Sequence, residues 1–226
     1  MTRLVLFDID GTLVHTGGAG TKAFSKTFAH IFGLAHGAEQ MKFAGRTDTS
    51  LVREFFHIHG VPPSAEHFRE FFENYVFWLE HIVAQSNGGE CAGVTQFIEE
   101  LLALPQPPML GLLTGNIRLG AEIKLRRFGL WDFFVMGGFA DDHEDRNHIA
   151  VAALQRGRRV LDAQLQPQEI VVIGDTPFDV RCGKFIGAKT LAVATGGAKF
   201  EELKKHAADW TVESLAQLRA REICPR

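Results

Sequence analysis

The 226-residue chain carries 24 Lys and Arg against 27 Asp and Glu, and 46% of its residues are hydrophobic. That length suggests one large domain or two small ones, the composition excludes disorder as the dominant state, and the near-zero net charge excludes a dedicated nucleic-acid binder. Three cysteines (Cys91, Cys182 and Cys224) are an odd number in no metal spacing, which excludes a disulfide framework and fits a reducing compartment.

The first run, Leu4–Ile9, reads as a buried strand. It is apolar for only four residues before Asp8, too short for the apolar region of a signal peptide, and no other run approaches the ~18 apolar residues of a membrane span. A soluble cytoplasmic protein with no membrane partner is the expectation. Side chains two apart on a strand share a face, so Asp8 and Asp10 leave the strand end together, before the tight turn at Gly11-Thr12. Two like charges in a partly buried site need an offset, either a cation or a shared proton.

From His15 to about Gln85 no convincing strand occurs. Phe24, Phe28, Ile31 and Phe32 fall at helical spacing, as do Leu51, Val52, Phe55 and Phe56. A longer stripe runs through Phe68, Phe72, Tyr75, Val76, Leu79 and Val83. Ten of the 19 phenylalanines lie in this stretch, which predicts an all-helical insert with its own core. Gly17-Gly18-Ala19-Gly20 and Ser86-Asn87-Gly88-Gly89 flank it, as joints of a lid would. His57, His59 and His67 within it read as surface or packing residues.

Beyond the insert, Val94, Phe97, Ile98, Leu101 and Leu102 make one helical stripe. Met109–Thr114 is a second strand, ending in Thr114-Gly115-Asn116. A hydroxyl, a flexible backbone and an amide at a helix start can hold a phosphate oxygen, although the same residues are ordinary caps. In the helix that follows, Arg118, Arg126 and Arg127 read as a solvated face and Lys124 as exposed. A weaker strand is expected over Phe133–Met136. Arg146 stands just before the stripe Ile149, Ala150, Ala153 and Leu154, and is the cation best placed to pair with phosphate. The strand Glu169–Gly174 delivers Asp175 and Asp179. Asp179 also suits a helix start, whereas a cap does not explain Asp175. With Asp8 these acids offer oxygen ligands for a hard divalent cation, and Mg²⁺ fits best. Lys189–Ala194 completes the strands. Continuous apolar strands alternating with helices predict an α/β fold, a Rossmann-like parallel sheet with helices on both faces and an inserted all-helical domain.

Asp8-Ile9-Asp10-Gly11-Thr12, Thr114, a cation before a helix and Gly174-Asp175-x-x-x-Asp179 occur in the order of the haloacid dehalogenase-like hydrolase superfamily, which the chain resembles from Leu4 to about Leu218. The insert sits where that superfamily carries its C1 cap. Gly17-Gly18-Ala19-Gly20 and Gly45-Arg46-Thr47-Asp48 look like the phosphoglycolate phosphatase-like branch. The resemblance implies a core of residues 1–14 and 88–226 with a cap at 15–87. It implies that Asp8 is the nucleophile, forming a phosphoaspartyl intermediate, and Asp10 the general acid and then base. It implies that Thr114 and the Asn116 backbone hold phosphate, and that Asp8, Asp175 and the Asp10 carbonyl bind Mg²⁺ with Asp179 nearby. Where the family usually has Lys at its third motif, this chain has Arg146. Since the cap supplies specificity, Arg46 is the candidate for a second anionic group on the substrate, its alternative being a loop Arg paired with Asp48.

The expected activity is Mg²⁺-dependent hydrolysis of a small phosphorylated metabolite by a monomer or homodimer. A phosphomutase of the same superfamily and a non-catalytic phosphate-sensing module are the alternatives. A dehalogenase is disfavoured, because that branch has an aromatic where this chain has Asp10.

Overall fold

The computed structural model describes residues 1–34, 36, 38 and 41–225. Six strands form one parallel sheet: β1 (Leu4–Phe7), β4 (Met109–Leu113), β5 (Met136–Gly138), β6 (Ile170–Gly174), β7 (Lys189–Val193) and β8 (Trp210–Val212). Their order is β5-β4-β1-β6-β7-β8. The chain builds outward from β1 to β4 and β5, then returns to lay β6 against the other side of β1. The sheet therefore reverses direction of growth at β1, and the C-terminal ends of β4, β1 and β6 surround that crevice.

The alternation along β1 decides which layer each side chain enters. Leu4 and Leu6 pack on one face with Leu113, Ile170 and Val172. Val5 and Phe7 pack on the other with Leu110, Leu112, Val171 and Ile173. The first face is covered by α6 (Arg146–Val160) and α7 (Pro177–Phe185), through Ile149, Ala150, Ala153 and Cys182. The second is covered by α4 (Val94–Leu102), α5 (Arg118–Arg127) and the C-terminal helix Ala220–Ile223, through Phe97, Leu101, Leu125 and Ile223. Both faces are apolar because both are covered, which is why the strands read as unbroken runs. The three cysteines are buried and free, Cys91 and Cys224 under the second face and Cys182 under the first.

Two expectations for the strands need correction. The weak strand is Met136–Gly138, not Phe133–Met136; Phe133 closes a 3-10 turn over Trp131–Phe133. A Cβ on Gly138 would lie 2.6 Å from the Ile149 carbonyl oxygen, so α6 can sit on this strand only where the side chain is missing. The edge strand Trp210–Val212 was not anticipated, and all three of its residues are only half-buried.

The insert is helical as expected: α1 (Ala19–Phe32), α2 (Asp48–His59) and α3 (Ala65–Ala84). Thr47 and Ser64 cap α2 and α3 by accepting the Ser50 and His67 amides, and α1 and α2 stop at Gly33 and Gly60 with φ of 66° and 67°. The three helices enclose a separate aromatic core. Phe28 stacks on Phe55 with ring centroids 3.4 Å apart, and Phe24, Phe56, Phe71 and Tyr75 close around them. Phe71, rather than Phe68 or Phe72, is the fully buried ring of α3's first half. A short antiparallel ribbon, β2 (Val14–His15) with β3 (Gly89–Glu90), joins the chain where it enters and leaves the insert. Gly88 fits there because a Cβ would overlap the His15 carbonyl oxygen.

Candidate active site

Asp8, Thr114 and Asp175 directly follow β1, β4 and β6, so three adjacent strands deliver them to one rim. Asp8 remains tied to the sheet edge by its amide, which donates to Ile173 O at 2.9 Å, and it is 6% exposed. With Asp10, Thr114, Gly115, Asn116, Arg146, Arg46 and Asp175 it lines a cavity of about 410 Å³ between the rim and the helical insert. Asp179 stands beside this cavity, at the start of α7.

Arg146 is the first residue of α6, placed by the Asp145 side chain, which caps the helix by accepting the Asn147 amide. Its guanidinium donates to Asp8 Oδ1 at 2.7 Å, to Asp179 Oδ1, to Leu113 O at 3.3 Å and to Gly45 O at 3.3 Å. A buried cation thus spans the nucleophile candidate, Asp179 and the insert. Asp179 Oδ2 accepts the Thr176 amide at 2.9 Å and hydroxyl at 2.6 Å, closing the first turn of α7. The helix-start reading of Asp179 thus holds through Oδ2, while Oδ1 faces Arg146. Asp175 accepts the Thr12 hydroxyl at 3.3 Å and the Gly197 amide.

Carboxylate oxygens of Asp8, Asp175 and Asp179 lie within 4.8 Å of one another, all buried. Burial pushes the carboxyls of Asp8 and Asp175 well above the usual range; Asp179 pushes both further, as Asp10 does Asp8 and Asp8 does Asp175, against the pull of Arg146. One guanidinium among three buried acids leaves an excess of negative charge. Oxygen donors in that state suit a hard divalent cation.

Thr114 is fully buried and its Oγ1 accepts from the Asn116 amide at 3.2 Å and the Asn116 side chain at 2.8 Å, which leaves its own proton to donate. Asn116 Nδ2 also donates to Asp10 Oδ2 at 2.8 Å. Gly115 has a role the sequence did not suggest. A Cβ there would overlap the Arg46 carbonyl oxygen, so the insert's loop rests directly on the backbone that follows β4. The Asp48 amide donates to Gly115 O at 2.7 Å, and Asp48 Oδ2 accepts the Ile117 amide at 2.8 Å, at the start of α5. Thr47 Oγ1 donates to Glu144 O at 2.7 Å. The insert is thus tied to the sheet domain at a second place besides its chain joints.

Three expectations change here. Lys124 is not exposed: it is 4% exposed and donates to Asp10 Oδ2 at 2.6 Å and Asn116 Oδ1 at 2.6 Å. Its position, seven residues after Ile117 and four after Gly120, places it on the inward face of α5, and that spacing was the available signal. Arg46 lines the cavity, but its guanidinium pairs with Glu54 and reaches Ser50 Oγ at 3.3 Å, rather than pairing with Asp48. Asp48, read as that partner and as the last residue of Gly45-Arg46-Thr47-Asp48, is itself 7% exposed and part of the cavity wall. Arg118, Arg126 and Arg127 are exposed as expected, two of them over the Trp131 ring.

Burial pushes the Asp48 carboxyl up to about 7, against Lys124 and the Ile117 amide, which lower it. A carboxyl that holds its proton longer when folded adds stability below its ordinary value of 3.8 and loses it as pH rises through about 7. Asp48→Asn removes that titration. Wild-type stability relative to this variant should fall by up to about 4 kcal/mol between about pH 4 and pH 8 in denaturant melts. Parallel pH curves for the two proteins would mean that Asp48 is ionised in the folded state throughout.

The chain resembles known proteins in sequence and in fold. Pyrophosphatase PpaX from Bacillus mycoides is 26% identical over 225 residues, covering 95% of this chain and 94% of that protein. CbbY from Rhodobacter sphaeroides, solved in complex with phosphate, superposes with a TM-score of 0.76 at 18% identity, covering 96% of each chain. A predicted phosphoglycolate phosphatase from Haemophilus somnus superposes with a TM-score of 0.72 at 15% identity, covering 99% of this chain and 97% of that one. The family profile described as haloacid dehalogenase-like hydrolase matches residues 5–193, from the second residue of β1 to the last of β7. The chain belongs to the haloacid dehalogenase-like hydrolase family.

Proposed function

We propose that the protein is a Mg²⁺-dependent phosphatase that hydrolyses a small phosphorylated metabolite through a phosphoaspartyl intermediate, with residues 15–87 serving as its cap. One observation carries the reading. The buried Asp8 carboxylate stands at the sheet's switch point with Oδ1 held by Arg146 at 2.7 Å, which leaves the other oxygen for phosphorus. A carboxylate nucleophile divides one difficult displacement into two easier ones.

Around it, each neighbour has a task. Arg146, the Thr114 hydroxyl and the Asn116 amide hold the phosphoryl oxygens, whose charge spreads in the transition state. Asp10 gives a proton to the departing oxygen and then takes one from the water that cleaves the phosphoaspartate. Asp8, the Asp10 carbonyl and Asp175 would hold Mg²⁺, with Asp179 alongside, and the ion would neutralise charge on the transferring group. The cap contacts at Gly115 and Glu144 keep bulk water from the intermediate except where substrate enters.

Purified protein should release phosphate from p-nitrophenyl phosphate and from members of a phosphometabolite panel with Mg²⁺ present, and fall to background with excess chelator. Mg²⁺ should also raise the melting temperature, by the equivalent of about 2.7 kcal/mol at a hundred times Kd, and Asp175→Asn should lose most of that rise. Absence of phosphate release from every substrate, with the ion bound, refutes the reading. The relatives' names point the panel toward inorganic pyrophosphate and phosphoglycolate.

A further inference from the structure

Lys124 is a buried ammonium to which the scheme above gives no task. It projects from the inward face of α5 and ends 2.6 Å from Asp10 Oδ2 and 2.6 Å from Asn116 Oδ1. Burying a lysine is costly unless its charge is paired, and the Asp10 and Asp48 carboxylates both lie within reach of its field. A core helix facing an apolar layer would be served better by leucine at this position if packing were all that mattered.

The arrangement fixes one oxygen of Asp10 and leaves the other open. Asp10 Oδ2 accepts from Lys124 and from Asn116 Nδ2, at 2.6 and 2.8 Å. Among the described residues nothing donates to Oδ1. The Asp10 side chain is 42% exposed, so packing alone does not hold its rotamer. Asn116 is in turn held by Thr114 Oγ1 at 2.8 Å, which connects the Asp10 carboxylate to the phosphate-loop hydroxyl through two bonds. Gly20 of the cap faces the same spot; a Cβ there would sit 3.6 Å from Lys124 Nζ and 4.0 Å from the Tyr75 hydroxyl.

We propose that Lys124 is a positioning residue for Asp10: with Asn116 it pins Oδ2, so that Oδ1 is the oxygen presented to the leaving group. This rests on the phosphatase reading. In the step concerned, an Asp8 carboxylate oxygen forms a bond to phosphorus as the bond from phosphorus to the ester oxygen breaks. The electron pair of that bond stays on the ester oxygen, which takes the proton from Asp10 Oδ1. The products are phosphorylated Asp8, ionised Asp10 and a neutral alcohol. Lys124 touches neither phosphorus nor the alcohol; it keeps Oδ1 within the roughly 2.6–3.2 Å that proton transfer needs.

The test is the dependence of kcat/KM on the leaving group, which reports on the first phosphoryl transfer. Wild type, Lys124→Met, Lys124→Gln and Lys124→Arg are compared on p-nitrophenyl, p-chlorophenyl and phenyl phosphate. A good leaving group departs with little help from an acid, whereas a poor one relies on it. Lys124→Met should lose roughly 100-fold on phenyl phosphate, the lower range of general-acid contributions, and less than about 10-fold on p-nitrophenyl phosphate. Lys124→Arg should recover most of the loss on phenyl phosphate. If the Met variant does not fold, the Gln variant gives the same comparison. An equal fall on all three esters, or none, overturns the proposal while leaving the phosphatase reading intact. Failure of the wild type to hydrolyse these esters and every member of the phosphometabolite panel with Mg²⁺ overturns both.

Discussion

Asp8→Asn should abolish phosphate release, with kcat/KM falling by about 10⁴-fold or more on any substrate the wild type accepts. An amide oxygen is a poor nucleophile toward phosphorus, and no other carboxylate can replace it. Asp175 is committed to Thr12 and Gly197, and Asp179 to Arg146 and the first turn of α7. The fold should survive, because the substitution removes a charge that burial disfavours. Arg146 keeps Asp179, Leu113 O and Gly45 O as acceptors. The melting temperature without Mg²⁺ should therefore be unchanged or higher. Residual turnover within about tenfold of wild type would remove Asp8 from the mechanism, and with it the phosphoaspartyl route.

The second large effect is expected at Arg146. Arg146→Met leaves Asp8 and Asp179 buried without the cation they share, with Asp175 beside them. Breaking a buried pair by deleting one partner costs about 3–5 kcal/mol, which a denaturant melt in chelator would register. Added Mg²⁺ should restore part of that stability but not activity, which should stay down by about 10³-fold because phosphoryl oxygens lose their guanidinium. Arg146→Lys is the informative control. Lysine keeps the charge but has no planar fork, so it can serve Asp8 and Asp179 without also reaching Gly45 O. Its folded stability should stay near wild type. An Arg146→Met protein with wild-type kcat/KM would show that the guanidinium serves only to neutralise the acids.

These two residues were legible in the sequence because simple periodicities place them. A run of unbroken apolar residues before Asp8 marks a strand covered on both faces, and the crevice of such a sheet lies past the strand ends. Arg146 stands just before the stripe Ile149, Ala150, Ala153 and Leu154, which marks it as a cation at a helix start; the Asp145 cap that fixes it there is seen only in the structure. Lys124 was illegible for the opposite reason. Glu122, Arg126 and Arg127 surround it, and a charged neighbourhood reads as a wet surface unless the period is counted from Ile117. The Asp48 contact could not be found locally, since it depends on how a loop of the insert meets the start of α5, across 69 residues of chain. The edge strand Trp210–Val212 lacked an apolar run because it is only half-covered. Gly137 and Gly138, two of the three residues of β5, lack the side chains that announce a strand.

The three cysteines have a practical consequence. Each thiol is buried, and burial pushes Cys91 and Cys182 up to about 12 and raises Cys224 as well. Thiolate is the reactive form toward alkylating agents and oxidants, so the native chain is close to inert toward both at neutral pH. Cys91 and Cys224 lie under one face of the sheet and Cys182 under the other. The rate at which each is alkylated therefore reads out separately how often either layer lifts from the strands, with no introduced label.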